Sequence, residues 1–233
     1  MITIVFLAAA SFLLYRLLGG APRLRRSRLQ PAETTQAKIE ELTKFARRLR
    51  ANNKYTGAEK VYLQILKIDH RHAATYQQLG TLYMAMKNYA DAIECFQLAT
   101  QLSPSGMTFY NLGLALYENR NPVKAVAAFE KAVMFEPSAQ RCIGLAKAYN
   151  RLGRDDQMVA ALEQAAELEP NPKVLQLLVD SYEATGRTEE LESARQRLKA
   201  ATAPRQRLQS AAKRATSAAR AVSRSASGRL EKT

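Results

Sequence analysis

A motif that returns every 33 or 34 residues constrains this chain more than any other feature. Gly80, Ala92, Phe96, Ala99 and Pro104 are followed one period later by Gly113, Ala125, Phe129, Ala132 and Pro137. A domain with one compact core has no reason to keep such a period. Stacked units, each covering the apolar face of the next, require it. Within one unit, Tyr76, Leu79, Gly80 and Tyr83 fall at i, i+3, i+4 and i+7, which is one face of an α-helix. Ala92, Phe96 and Ala99 mark a second helix, and Pro104 closes it, because proline lacks the N–H and restricts the residue before it. The expected unit is an antiparallel helical hairpin. With no Trp, only 10 Gly in 233 residues and no alternating β-branched runs, the sequence offers no candidate sheet, so the fold class read from it is all-α.

On these residues the chain resembles the tetratricopeptide repeat family, whose pattern runs aromatic, Leu-Gly, Tyr, then Ala, Phe, Ala and a closing Pro. The resemblance covers roughly residues 37–200 and implies a right-handed α-solenoid of about five hairpins, with units near 39–72, 73–105, 106–138, 139–171 and 172–200. The second and third units keep the pattern best. The first is divergent but legible in Leu42, Phe45, Ala46, Leu49, Tyr55, Ala58, Tyr62 and Ile65, with His70 where Pro is usual. The fourth places Cys142, Met158 and Leu162 at positions normally aromatic, Ala and Phe. In the fifth, Arg195 replaces the buried Phe, so the last helix is expected to face water on that side.

Two segments flank the repeats. Ile2 to Leu18 carries Arg16 as its only charge, and at 1.5 Å per residue it reaches about 25 Å, the short end of what spans a bilayer core. It reads as an uncleaved transmembrane anchor (2–18), followed by a basic juxtamembrane linker (19–36). There Arg23, Arg25, Arg26 and Arg28 are expected to contact the membrane surface on its cytoplasmic side. This gives a single-pass membrane protein whose repeats face the cytoplasm. The rival reading is a signal peptide cleaved near Gly19-Gly20-Ala21, releasing a secreted or periplasmic structural protein that binds an anionic polymer or membrane through its tail. That tail, 201–233, sets eight Lys and Arg against Glu231 alone. Two readings stand for it: a disordered basic tail, or a weakly amphipathic cationic helix built on Leu208, Ala211, Ala212, Ala215, Ala219 and Val222. Nucleic acid is the less favoured partner, because the tail has no aromatic residue to stack on a base.

The chain shows no Gly-rich phosphate loop, H-E-x-x-H, G-x-S-x-G or CxxC, so no enzyme is expected. Two Cys on different repeats and two His in one turn give no metal signature, and no cofactor is implied. The family resemblance places partner contacts on the concave side, at five positions of each unit's first helix. Carried over, these give a candidate groove of Arg47, Arg50, Gln77, Thr81, Met84, Met107, Tyr110, Leu114, Tyr117, Lys147, Asn150 and Arg151. An apolar anchor of a bound peptide is expected between Tyr110, Leu114 and Tyr117, with Arg47, or Lys147 and Arg151, meeting acidic groups beside it. The carboxylate clamp of the chaperone-binding members is not present, since Thr43, Arg47, Gln78, Met107 and Asn111 stand at its positions. The function expected is a membrane-anchored scaffold or adaptor that holds a segment of a partner protein.

Overall fold

Residues 31–203 are described by a computed structural model. The anchor 2–18, Arg23, Arg25, Arg26 and Arg28 of the linker, and the tail from 204 onward lie outside the described residues. Among those described, helices account for nearly the whole chain and there is no strand. They are α1 (Pro31–Ala51), α2 (Tyr55–Ile68), α3 (Ala73–Ala85), α4 (Tyr89–Leu102), α5 (Gly106–Glu118), α6 (Pro122–Phe135), α7 (Ala139–Arg151), α8 (Asp155–Leu168), α9 (Pro172–Thr185) and α10 (188–203). Consecutive helices pack antiparallel in pairs, and each pair packs on the next, with further contacts between the first helices α3 and α5 and between α5 and α7. Among the described residues no helix is long and apolar enough to cross a membrane.

Helices are described past both bounds expected for the repeats. Helix α1 takes in residues 31–36, which were expected to be linker. Helix α10 is described to 203, into the segment for which a helix was one of the two readings. Leu198 and Ala201 pack against the core of units three to five, which carries the helix on.

Five turns of one kind shape the hairpins. Asn53, Lys87, Arg120, Gly153 and Gly186 recur once per unit, with φ of 58°, 59°, 56°, 66° and 71°. After each, the next N–H reaches back to a carbonyl in the last turn of the first helix: Lys54 to Leu49, Asn88 to Tyr83, Asn121 to Leu116, Arg154 to Tyr149 and Arg187 to Tyr182, at 2.9–3.1 Å. This left-handed closure satisfies carbonyls that a helix end would leave open. Later helices are also capped at their starts. The Ser105 hydroxyl accepts from the Thr108 N–H, Ser138 from that of Arg141, and the Asn171 side chain from those of Lys173 and Val174.

Aromatic rings against bare backbone build the interior. A Cβ placed on Gly80 would lie 2.7 Å from the Phe96 ring, and one on Gly113 would lie 2.7 Å from Phe129. Phe129 is gripped from the following unit as well, since a Cβ on Gly144 would meet it at 2.9 Å. Polar bonds then tie one unit to the next. Tyr149 donates to Glu130 (2.7 Å) and, one period later, Tyr182 donates to Glu163 (2.6 Å); Tyr83 makes a related bond to Glu59 (2.7 Å). The last pair ends as expected, with Arg195 exposed and paired to Glu183 at 2.6 Å.

Candidate peptide-binding groove

First helices α5, α7 and α9 lie side by side, and two adjoining cavities open along them. One, of about 350 Å³, is bounded by Tyr110 and Leu114 of α5, Ile143, Gly144 and Lys147 of α7, and Val174 of α9. The other, of about 240 Å³, has an apolar floor of Ile143, Ala146, Met158, Leu162, Leu177 and Ala184. Lys147, Asn150, Asp155 and Asp180 stand around the second cavity. Ile143 and Lys147 border both, so the two form one trough. Apolar floors with a few polar groups at the rim are the usual character of a peptide or small-molecule site.

The predicted groove residues divide into two sets. Tyr110, Leu114, Lys147 and Asn150 border the trough, and Lys147 and Asn150 are exposed. Arg47, Arg50, Gln77, Thr81, Met84, Met107, Tyr117 and Arg151 border neither cavity. Among these, Arg50 donates to Gln78 at 3.4 Å, Thr81 donates back to the Gln77 carbonyl at 2.9 Å, and Met84 packs beside the cluster of Ala92, Phe96 and Ala115. Met107 is half exposed on α5.

Two residues behave differently from what their positions implied. The Arg151 guanidinium lies 4.2 Å from the centre of the Tyr117 ring and donates to the Tyr117 carbonyl at 2.6 Å. It thus joins α7 to α5 through a cation–π contact and a charge-assisted bond, which occupies the group that was to meet a partner's acid. Tyr110 is shared between packing and groove: its ring sits 5.6 Å from Phe129, while its hydroxyl accepts from Gln140 at 3.3 Å.

Sequence reading missed the far wall. Leu177, Asp180, Ser181 and Thr185 of α9, with Met158 and Leu162 of α8, complete the second cavity. Carrying the same register into the fifth unit, from Pro172, would have reached Asp180. One Asp180 oxygen accepts from Gln176 at 2.7 Å, leaving carboxylate capacity for a ligand at the rim. Neither cysteine offers a nucleophile. Cys95 and Cys142 are free and buried, and burial followed by the nearby Asp91, Glu94 and Glu59 charges pushes the Cys95 thiol up to about 12.

Family models of the tetratricopeptide repeat match residues 73–105, 108–138 and 139–172. Among solved structures, the chain is similar to the MamA protein (22% identity, TM-score 0.66), over 72% of this chain and 94% of that one. It is also similar to MamA 41-end from Desulfovibrio magneticus RS-1 (18% identity, TM-score 0.60; 71% and 93% covered). YrrB, a TPR protein with an unusual peptide-binding site, is a third such structure (21% identity, TM-score 0.58; 72% and 92% covered). No curated protein sequence matches the chain. At these identities the likeness speaks for the fold alone.

Proposed function

We propose that this chain, which belongs to the tetratricopeptide repeat family, is a membrane-anchored adaptor that binds a segment of a partner protein in the trough along α5, α7 and α9. The observation that carries the reading is a pair of adjoining cavities that share Ile143 and Lys147, one of them floored by apolar side chains with Lys147, Asn150, Asp155 and Asp180 around it. An anchor residue of a peptide would be desolvated against Ile143, Met158, Leu162 and Leu177. Charges at the rim would set its register and direction, which is where ionic groups contribute most to recognition. The trough lies toward the C-terminal units, away from Arg47 and Arg50. The anchor belongs to the proposal on sequence grounds: Ile2 to Leu18 supplies the span, and the four arginines after it favour repeats on the cytoplasmic side.

Panning a random peptide library against the full chain tests the groove. Enriched peptides should share an apolar residue, and Leu177→Asp should weaken them by at least about tenfold, roughly 1.4 kcal/mol. Helicity should stay unchanged, since Leu177 is 37% exposed. Peptides that bind Leu177→Asp as well as the parent would move the site elsewhere. Alkaline extraction of membranes tests the anchor separately: a chain that washes off is not anchored.

A further inference from the structure

The chain leaves its last helix pair beside the trough. A third cavity, of about 450 Å³, is lined by Pro172, Lys173, Gln176 and Leu177 of α9 with Leu198 and Thr202 of α10. Leu177 also borders the apolar-floored cavity of the trough, and Lys173 also borders the other one. The surface is therefore continuous from the last turn of α10 to the trough, with the exposed Leu177 between them. Pro204 comes next in the sequence, and because it has no N–H and restricts the residue before it, a straight continuation of α10 is disfavoured there.

Charge is complementary across this surface. Residues 155–203 hold ten acids against five Lys and Arg, whereas 204–233 hold one acid against eight. At the trough, Asp155, Glu169 and Asp180 stand with Lys147 and Lys173, and Asp155 and Asp180 take part in none of the ion pairs among the described residues. The large apolar side chains of 204–233 are Leu208, Val222 and Leu230, and Leu208 follows directly on Arg205-Gln206-Arg207. Five residues beyond 203 reach at most about 17 Å, and a helix with its side chains is about 10–12 Å across. Leu208 is thus near enough to cross α9 and meet the trough side of Leu177.

We propose that segment 205–208 turns back within the same chain and occupies the trough, Leu208 lying against Ile143, Met158, Leu162 and Leu177 and the two arginines meeting Asp155 and Asp180. The tail is then an internal competitor that a partner must displace. The inference rests on the reading of the trough as a peptide site and adds its regulation. A short tether holds a segment at an effective concentration on the order of 1 mM. A contact with an intrinsic Kd of only about 0.1 mM would therefore lower the apparent affinity for a partner about tenfold.

Photo-crosslinking of the full chain in detergent tests it. Benzoylphenylalanine in place of Gln209, irradiated in dilute protein, should join the tail to Met158, Leu162 or Leu177 of the same chain, as located by mass spectrometry of the digest. Leu208→Asp should remove those links, and so should Asp155→Asn combined with Asp180→Asn. Links scattered over the surface, or unchanged in these variants, would overturn the proposal. Links that join two chains would give the trough to a neighbour's tail and overturn it as well. A peptide selected on the trough supplies the second readout: the triple variant Arg205→Glu, Arg207→Glu, Leu208→Asp should bind it about tenfold more tightly than the parent. Equal binding by parent and triple variant, with loss in Leu177→Asp, would sink the tail contact and leave the peptide site standing. Links to the trough within one chain, together with no peptide binding even by the triple variant, would sustain the tail contact and remove the peptide reading.

Discussion

Tyr62 and Phe129 hold the same place in the register, two periods apart, and both are buried, yet their surroundings differ. Phe129 lies between two glycines, Gly113 of its own unit and Gly144 of the next, with its ring filling the space a Cβ would need. Tyr62 faces Ala46 in place of a glycine and brings a hydroxyl that no group among the described residues satisfies. Burial raises the pKa of that hydroxyl and outweighs the opposing charges of Arg50 and Arg47. Repeat position therefore fixes which residue is buried. Neighbours on both sides decide whether that burial is well made.

The largest effect should come from removing the better-packed ring. Phe129→Ala is expected to destabilise its region by about 3–5 kcal/mol, the range for deleting a buried aromatic side chain. In a stacked array that loss should stay local, raising hydrogen exchange in α5 to α8 while leaving α1 and α2 protected. Equal loss of protection in α1 would show that the array unfolds as one block, and the contrast between its ends would lose its meaning.

A single chemical change made at two sites sharpens the comparison. Tyr149→Phe removes the hydroxyl that donates to Glu130 and should cost about 1.5–3 kcal/mol, the range for hydrogen bonds to charged groups. Tyr62→Phe removes a hydroxyl without a partner and should stabilise, by up to about 1–3 kcal/mol. Urea titration of the two variants checks the opposite signs; destabilisation by both would mean that the Tyr62 hydroxyl does find a partner. Alkali gives an independent reading. Burial first, and then the bond to Glu130, push the Tyr149 hydroxyl up to about 12, above an unfolded value of about 10. The folded state then holds the proton longer, so the contribution is whole below about pH 10 and is lost as pH rises toward 12. Tyr149→Phe should remove that part of the alkaline slope.

How far these features could be read in the sequence follows their physics. The Gly80–Phe96 and Gly113–Phe129 contacts were visible as periodic pairs, because close approach demands a small residue and a ring at fixed spacing. The Tyr149–Glu130 and Tyr182–Glu163 bonds repeat just as regularly, but each links two units and needs their stacking to be seen. In the trough, Tyr110, Leu114, Lys147 and Asn150 were reached through the register. Asp180 stands at the matching position of the fifth unit, whereas Leu177 lies one residue off the groove positions and shows only once α9 is seen packed beside α7 and α8. Arg151 was placed correctly on α7 and misread in its role, since a long side chain can turn back onto Tyr117 instead of pointing across the groove.

The smallest expected effects lie in the turns, where the early and late units solve one backbone problem with different residues. Gly153 and Gly186 meet the left-handed closure without a Cβ, whereas Asn53, Lys87 and Arg120 adopt nearly the same φ with one. Nothing lies within 4 Å of a Cβ built on Gly153, so Gly153→Ala changes backbone preference and no contact. It should destabilise by about 1 kcal/mol, near the lower end of the left-handed penalty for an L-residue. The reverse change, Arg120→Gly, removes that penalty but frees the unfolded chain, which offsets about 0.4–1 kcal/mol of the gain. Its net effect should be a stabilisation of no more than about 1 kcal/mol. Asn53→Gly should gain least, because asparagine already tolerates this region. Urea midpoints of the three variants give the order directly. Neutrality of Gly153→Ala would mean that the turn relaxes to another closure, and the regular stacking of the late units would then rest on the aromatic wedges alone.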